Sequence, residues 1–87
     1  MLHEIKILDA YADAILDGRK TFEVRLNDRG YNAGDKVQFN VIYSDGCLFS
    51  DHPLSDKIYE ITYVHSGLGL EPNYVVFGIK PEKCDKK

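Results

Sequence analysis

Tryptophan is absent from these 87 residues, methionine occurs once, and there are two cysteines and three prolines. Cys47 and Cys84 are too few for a disulfide framework, and neither has a partner at metal-pair spacing. Both read as reduced thiols. His3, His52 and His65 also lack ligand spacing, so neither a metal nor a cofactor is expected. No apolar run approaches the roughly 18 residues of a membrane helix. The start, Met1-Leu2-His3-Glu4, lacks the basic-then-apolar pattern of a signal peptide, so the expected location is cytoplasmic, with no membrane partner. A large positive charge is missing too: the net charge of −3 argues against an indiscriminate nucleic-acid binder.

What is present suffices for one globular core. Hydrophobic residues make up 44% of the chain, and there are six tyrosines and four phenylalanines. The expected domain spans residues 1–80, and residues 81–87 read as a flexible C-terminal tail. Charge is unevenly spread. Residues 18–30 hold Arg19, Lys20, Arg25 and Arg29 against Glu23 and Asp28, a basic island in an acidic chain. Such an island can focus an anionic ligand.

Periodicity predicts the elements. His3 to Ile7 alternates as a first strand. Asp9 is a candidate cap for a short helix whose Tyr11, Ala14 and Ile15 share a face, and Gly18 suits its left-handed end. Thr21 to Arg25 alternates again, with Phe22 and Val24 on one face and Glu23 and Arg25 on the other. Lys36 to Tyr43 is the clearest strand, with Val37, Phe39, Val41 and Tyr43 on one face. The stretch to Asp56 reads as loop, with a possible edge strand at residues 47–49. Lys57 to His65 reads as a strand placing Tyr59, Ile61 and Tyr63 together, and Tyr74 to Lys80 as the last strand. The expected fold class is α+β, mostly β: a small β-barrel of five or six strands with one early helix, curled so as to hide strand edges. The strand order does not follow from pattern.

The chemistry concentrates in Gly18-Arg19-Lys20-Thr21-Phe22-Glu23-Val24-Arg25, which reads G-x-K-x-x-E-x-R at a helix-to-strand junction. Glu23 and Arg25, two apart on a strand, can pair with each other or converge on one ligand. The plainer alternative is an ion pair that pins the strand, a contribution of about 0–1 kcal/mol if exposed. Arg29 is a candidate for phosphate contact on charge and position alone. Tyr31, in the loop after the basic island, is the best-placed tyrosine for stacking on a base. Ser66-Gly67-Leu68-Gly69-Leu70 lacks the third glycine of a dinucleotide fingerprint and reads as a turn.

The four fixed positions of this segment match the signature of ASCH domains, small barrels related to the PUA family of RNA-binding modules. The order of elements, the Gly34-Asp35 turn, and Ser66 to Leu70 followed by Tyr74-Val75-Val76 resemble a short ASCH-like group of unknown function found in phages and bacteria. The resemblance covers about residues 3–80. It implies a PUA-like barrel whose cleft, beside the motif, binds RNA or a nucleotide through Gly18, Lys20, Glu23 and Arg25. Gly18 would allow a tight turn and close backbone approach, Lys20 and Arg25 would meet phosphate, carboxylate or a base edge, and Glu23 would orient Arg25 or accept from a base amine. Another ASCH branch hydrolyses acylated cytidine with the motif lysine, a threonine three residues on and a later helical glutamate. Here Lys20 matches, but Glu23 stands at the threonine position and no helical insert follows. The expectation is a binding module with no catalytic residue. The alternatives are a protein-interaction or host-modulating factor with a protein partner, and a small nucleoside amidohydrolase.

Overall fold

The computed structural model describes residues 1–82. The first strand, β1 (Leu2–Leu8), buries His3, Ile5 and Ile7 and turns its other residues outward. It leads directly into α1 (Asp9–Leu16). Asp9 is the first helical residue rather than the cap: Leu8 holds the cap position, and no side chain bonds the free N–H groups there. The Asp9 carboxylate instead sits in the first turn, where the helix dipole favours negative charge. The helix buries only Ala12 and Ile15. Tyr11, expected on the core face, is exposed, because so short a helix touches the sheet along a narrow stripe.

Gly18 ends this segment at φ 87°, a left-handed conformation that side chains disfavour. The N–H groups of Gly18 and Lys20 reach back to the carbonyls of Ile15 and Ala14, and the chain enters β2 (Phe22–Leu26). The remaining strands are β3 (Lys36–Ile42), β4 (Ile58–Ser66) and β5 (Tyr74–Pro81). They form one five-stranded sheet in the order β1-β3-β4-β5-β2. β1 and β3 are parallel, with Ile5 beside Phe39 and Ile7 beside Val41. The excursion through α1 and β2 supplies the long crossover that a parallel pair needs. The other pairs are antiparallel. The domain is thus small and mostly β, with one helix, and its sheet curls into a half-barrel whose edges are β1 and β2.

The core fills the hollow of this sheet. Val37, Phe39 and Val41 from β3, Ile61 from β4 and Phe77 from β5 are fully buried, each worth about 1.5–3 kcal/mol of transfer free energy. Tyr43, expected to continue the β3 face, leaves it: the strand stops at Ile42, and the Tyr43 ring stacks on Phe49 at 4.5 Å across a tight hairpin. Leu48 makes an isolated bridge to Ile42. The supposed loop beyond contains a 3-10 turn (Pro53–Asp56) that buries Leu54 beneath α1. His52 anchors it. Its Nδ1 accepts the Leu54 N–H at 3.1 Å, which places the ring proton on Nε2, and Nε2 donates to Asp13 Oδ1 at 2.7 Å.

In β4, Tyr59 and Ile61 face the core as the alternation predicts, but Tyr63 does not. A bulge between Ile61 and Tyr63 inserts one residue, so Val64 packs inward and Tyr63 points to solvent, 69% exposed. Pro81 belongs to β5, and the Glu82 N–H donates to the Ile58 carbonyl at 2.9 Å. The first two residues of the expected tail are therefore tied to the sheet. The rest of it, 83–87 with Cys84, lies outside the described residues. Among the described residues no helix is long and apolar enough to cross a membrane.

Candidate functional site

The motif strand β2 is turned inside out. Phe22, Val24 and Leu26 face solvent, while Glu23 is only 7% exposed and Arg25 is half-buried. Strand alternation places these two side chains on the concave side, at the open end of the half-barrel. Burying a carboxylate there is costly unless it is paired, and Glu23 is paired twice. Lys20 Nζ donates to its Oε1 at 3.0 Å, and Arg25 Nη1 donates to its Oε2 at 2.8 Å. Lys20 Nζ also donates to the Phe22 carbonyl at 2.6 Å and lies 4.5 Å from the centre of the Phe22 ring. One carboxylate thus holds two cations, so the cluster keeps a positive surplus.

Two arginines cross the gap between the sheet edges. Arg25 Nη1 donates to the Lys6 carbonyl at 2.9 Å, and Arg29 Nη1 donates to the Glu4 carbonyl at 2.9 Å. Residues two apart on a strand present their carbonyls on the same side, so Glu4 and Lys6 both offer acceptors along the free edge of β1. The guanidinium groups take the place of a missing neighbouring strand.

Between these edges lies a cleft of about 450 Å³. Its charged walls are Lys6, Arg25 and Arg29 against Glu23 and Asp28, three cations to two carboxylates. Tyr11 and Tyr74 add aromatic surface, and Leu8, Val24 and Ile42 are among its apolar lining. Of the residues singled out from sequence, Glu23, Arg25, Arg29 and Tyr31 line the cleft. Lys20 does not, and reaches it only through Glu23. Gly18 supplies the left-handed turn and is not among the cleft lining, and a Cβ placed on it would meet no protein atom within 4 Å.

Tyr31 is not the stacking platform expected. It is 4% exposed, and its ring packs 4.8 Å from His3 and 4.9 Å from Phe77, with no open face for a base. Its hydroxyl, however, is sealed from solvent without a hydrogen-bond partner. Burial pushes the phenol above the usual tyrosine range, while the charges of Arg25 and Arg29 pull the other way. A hydroxyl sealed in this way is an unsatisfied polar group beneath the cleft wall, and a ligand meets it only where the wall moves. The accessible aromatics are Tyr11 and Tyr74, which sequence reasoning did not assign to the site. Tyr11 carried a helical-face signal that pointed to the core, and Lys6 was one more outward residue of an alternating strand. Among the described residues no group of three or more His, Cys, Asp and Glu could hold a metal ion, and Cys47 is exposed as a free thiol.

No curated protein matches this chain. The fold is similar to that in the crystal structure of hypothetical protein PH0355, with a TM-score of 0.63 over 94% of this chain and 100% of that one. Sequence identity between them is 15%, so the likeness speaks for the fold alone. The family described as Domain of unknown function (DUF3850) matches residues 2–79, nearly the whole described length and all of the motif. The chain belongs to the DUF3850 family.

Proposed function

We propose that the cleft between β1 and β2 captures RNA or a nucleotide in the manner of an ASCH-like, PUA-related module, in the cytoplasm and without altering its ligand. The observation that carries this reading is the convergence on one cleft of Arg25 and Arg29, with the Tyr31 hydroxyl sealed without a partner beneath its wall and Lys20 and Glu23 behind them. Each arginine makes its hydrogen bonds to the protein through one terminal nitrogen, Nη1, which leaves further donors of the guanidinium fork for a phosphate or a base edge. The surplus of cations over carboxylates favours an anion, and Tyr11 and Tyr74 offer faces for a base. The volume suits roughly one nucleotide-sized group, within the range of small-ligand pockets.

Binding is preferred over hydrolysis of acylated nucleosides on the position of Lys20. The lysine that such a reaction would use lies outside the cleft lining, with its ammonium held by the Phe22 carbonyl and Glu23. The test is a residue-resolved NMR titration with mononucleotides, short single-stranded RNAs and hairpins. Shifts should concentrate at Glu23, Arg25, Arg29 and Tyr31, and affinity should fall as salt rises, because phosphate contacts release counterions. Arg25→Ala should weaken binding about tenfold or more. Silence of the four residues across the panel would remove the proposal, and turnover of an acylated nucleoside would replace it with the enzymatic reading.

A further inference from the structure

The outer face of the sheet presents a second surface, which meets the cleft along Val24, Leu26 and Tyr74. Direct cross-strand neighbours share a face, and three rows can be read across β2, β5 and β4. Phe22, Gly78 and Tyr63 form the first, Val24, Val76 and His65 the second, and Leu26 and Tyr74 the third. None of these rows contains an Asp, Glu, Lys or Arg. Phe22, Val24 and Leu26 are each close to half exposed, and Tyr63 more so. Beside them Leu68 projects from the β4–β5 loop, 90% exposed. Its position is nevertheless fixed, because His65 Nε2 donates to the Leu68 carbonyl at 3.0 Å. Adjoining it, Val24, Gly69, Leu70, Glu71 and Tyr74 line a groove of about 370 Å³.

We infer that this face is covered by a second copy of the same chain in a twofold homodimer, each Leu68 entering the groove beside its counterpart on the other copy. Three features select that occupant. A projection next to a recess on one face is self-complementary, which is what an isologous interface requires. The absence of charge along the rows limits like-charge repulsion near a twofold axis to Glu71 in the groove, and that one carboxylate gives a partner of opposite charge little to grip. The area is also adequate. Phe22, Val24, Leu26, Tyr63, Leu68 and Tyr74 together expose roughly 600 Å², at the upper limit for a monomer's largest apolar patch and most of the ~800 Å² per partner in a standard interface. The charged floor of each cleft stays on the other side of β2 with Glu23 and Arg25, but the interface borders one rim of the cleft, because Val24, Leu26 and Tyr74 line both.

Sedimentation equilibrium of the full chain over a micromolar concentration series tests this. The wild type should show twice the monomer mass, with a concentration-dependent dissociation. Tyr63→Glu, on a largely exposed side chain of β4, should be folded by circular dichroism and monomeric throughout. Leu68→Ser should weaken the dimer about tenfold or more, since it removes a central apolar anchor. Leu48→Glu, an exposed apolar residue on the distant hairpin, should leave the dimer unchanged. A wild type that stays monomeric assigns the face to some other partner and overturns the inference. So does a dimer that survives Tyr63→Glu, or one that is lost equally in Leu48→Glu.

Discussion

At the scale of single residues, the cleft is organised by what is satisfied and what is not. Glu23 is saturated by Lys20 and Arg25, whereas the Tyr31 hydroxyl is buried without a partner. A buried hydroxyl without a hydrogen bond lowers stability by about 1–3 kcal/mol relative to leaving that group out. Tyr31→Phe keeps the ring against His3 and Phe77 and removes only the oxygen. The expected result is a ligand-free protein about 1–3 kcal/mol more stable than wild type, read from urea midpoints. The same change should weaken a nucleotide whose binding opens the cleft wall and supplies the missing acceptor. Stability lost with affinity intact would mean that the hydroxyl serves the fold instead. The pairing of Glu23 with Arg25 was legible in the sequence, because the two-residue period of a strand brings them to one face. The burial of Tyr31 was not. It sits in a turn-rich segment without periodicity, and the rings that enclose it come from β1 and β5.

At the scale of elements, periodicity located every strand and failed where one element yields to another. The β4 bulge reverses the face of Tyr63, and a single inserted residue leaves no mark in a pattern that is apolar on both sides. The 3-10 turn was hidden because its stability comes from His52 and the packing of Leu54, both tertiary. Joints of this kind hold elements through buried polar groups, and one of them is sensitive to acid. His3 Nε2 donates to Asp35 Oδ2 at 2.8 Å and ties β1 to the turn before β3. This bond, aided by the Asn32 backbone N–H, holds the Asp35 carboxyl below the usual aspartate range. With the folded-state value below the unfolded one, Asp35 contributes its stability above the ordinary aspartate value of about 3.9. That contribution is lost as pH falls through the lower, folded-state value. Asp35→Asn should therefore cost stability at neutral pH and lose less than wild type on acidification below about pH 4. Urea midpoints measured across that range give the comparison, and curves that run parallel would refute the assignment.

For the whole molecule, the decisive feature is the strand order, which no local pattern carried. A chain that pairs β1 with β3 and β2 with β5 leaves two edges facing one another, and the motif lies on one of them. An unpaired edge is a liability in a free strand. Here it is answered by Arg25 and Arg29, whose guanidinium groups bond the Glu4 and Lys6 carbonyls across the gap. Basic residues that looked like ligand contacts in the sequence therefore also hold the half-barrel together, and the cleft exists because that seam is bridged by side chains rather than by a sixth strand. The bridging is testable apart from any ligand. Hydrogen bonds to charged groups are worth about 1.5–3 kcal/mol when well buried. Solvent exposure of both arginines reduces the pair to roughly 1–2 kcal/mol in total. Arg25→Ala combined with Arg29→Ala should let β1 detach locally from β3, and its ladder amides should exchange with deuterium about tenfold faster. Exchange in the β4–β5 pair, on the far side of the sheet, should stay within a factor of two or so of wild type if the effect is local rather than global. Equal acceleration in both regions would show that the arginines support the domain as a whole, and unchanged exchange in β1 would show that the seam is held by packing alone.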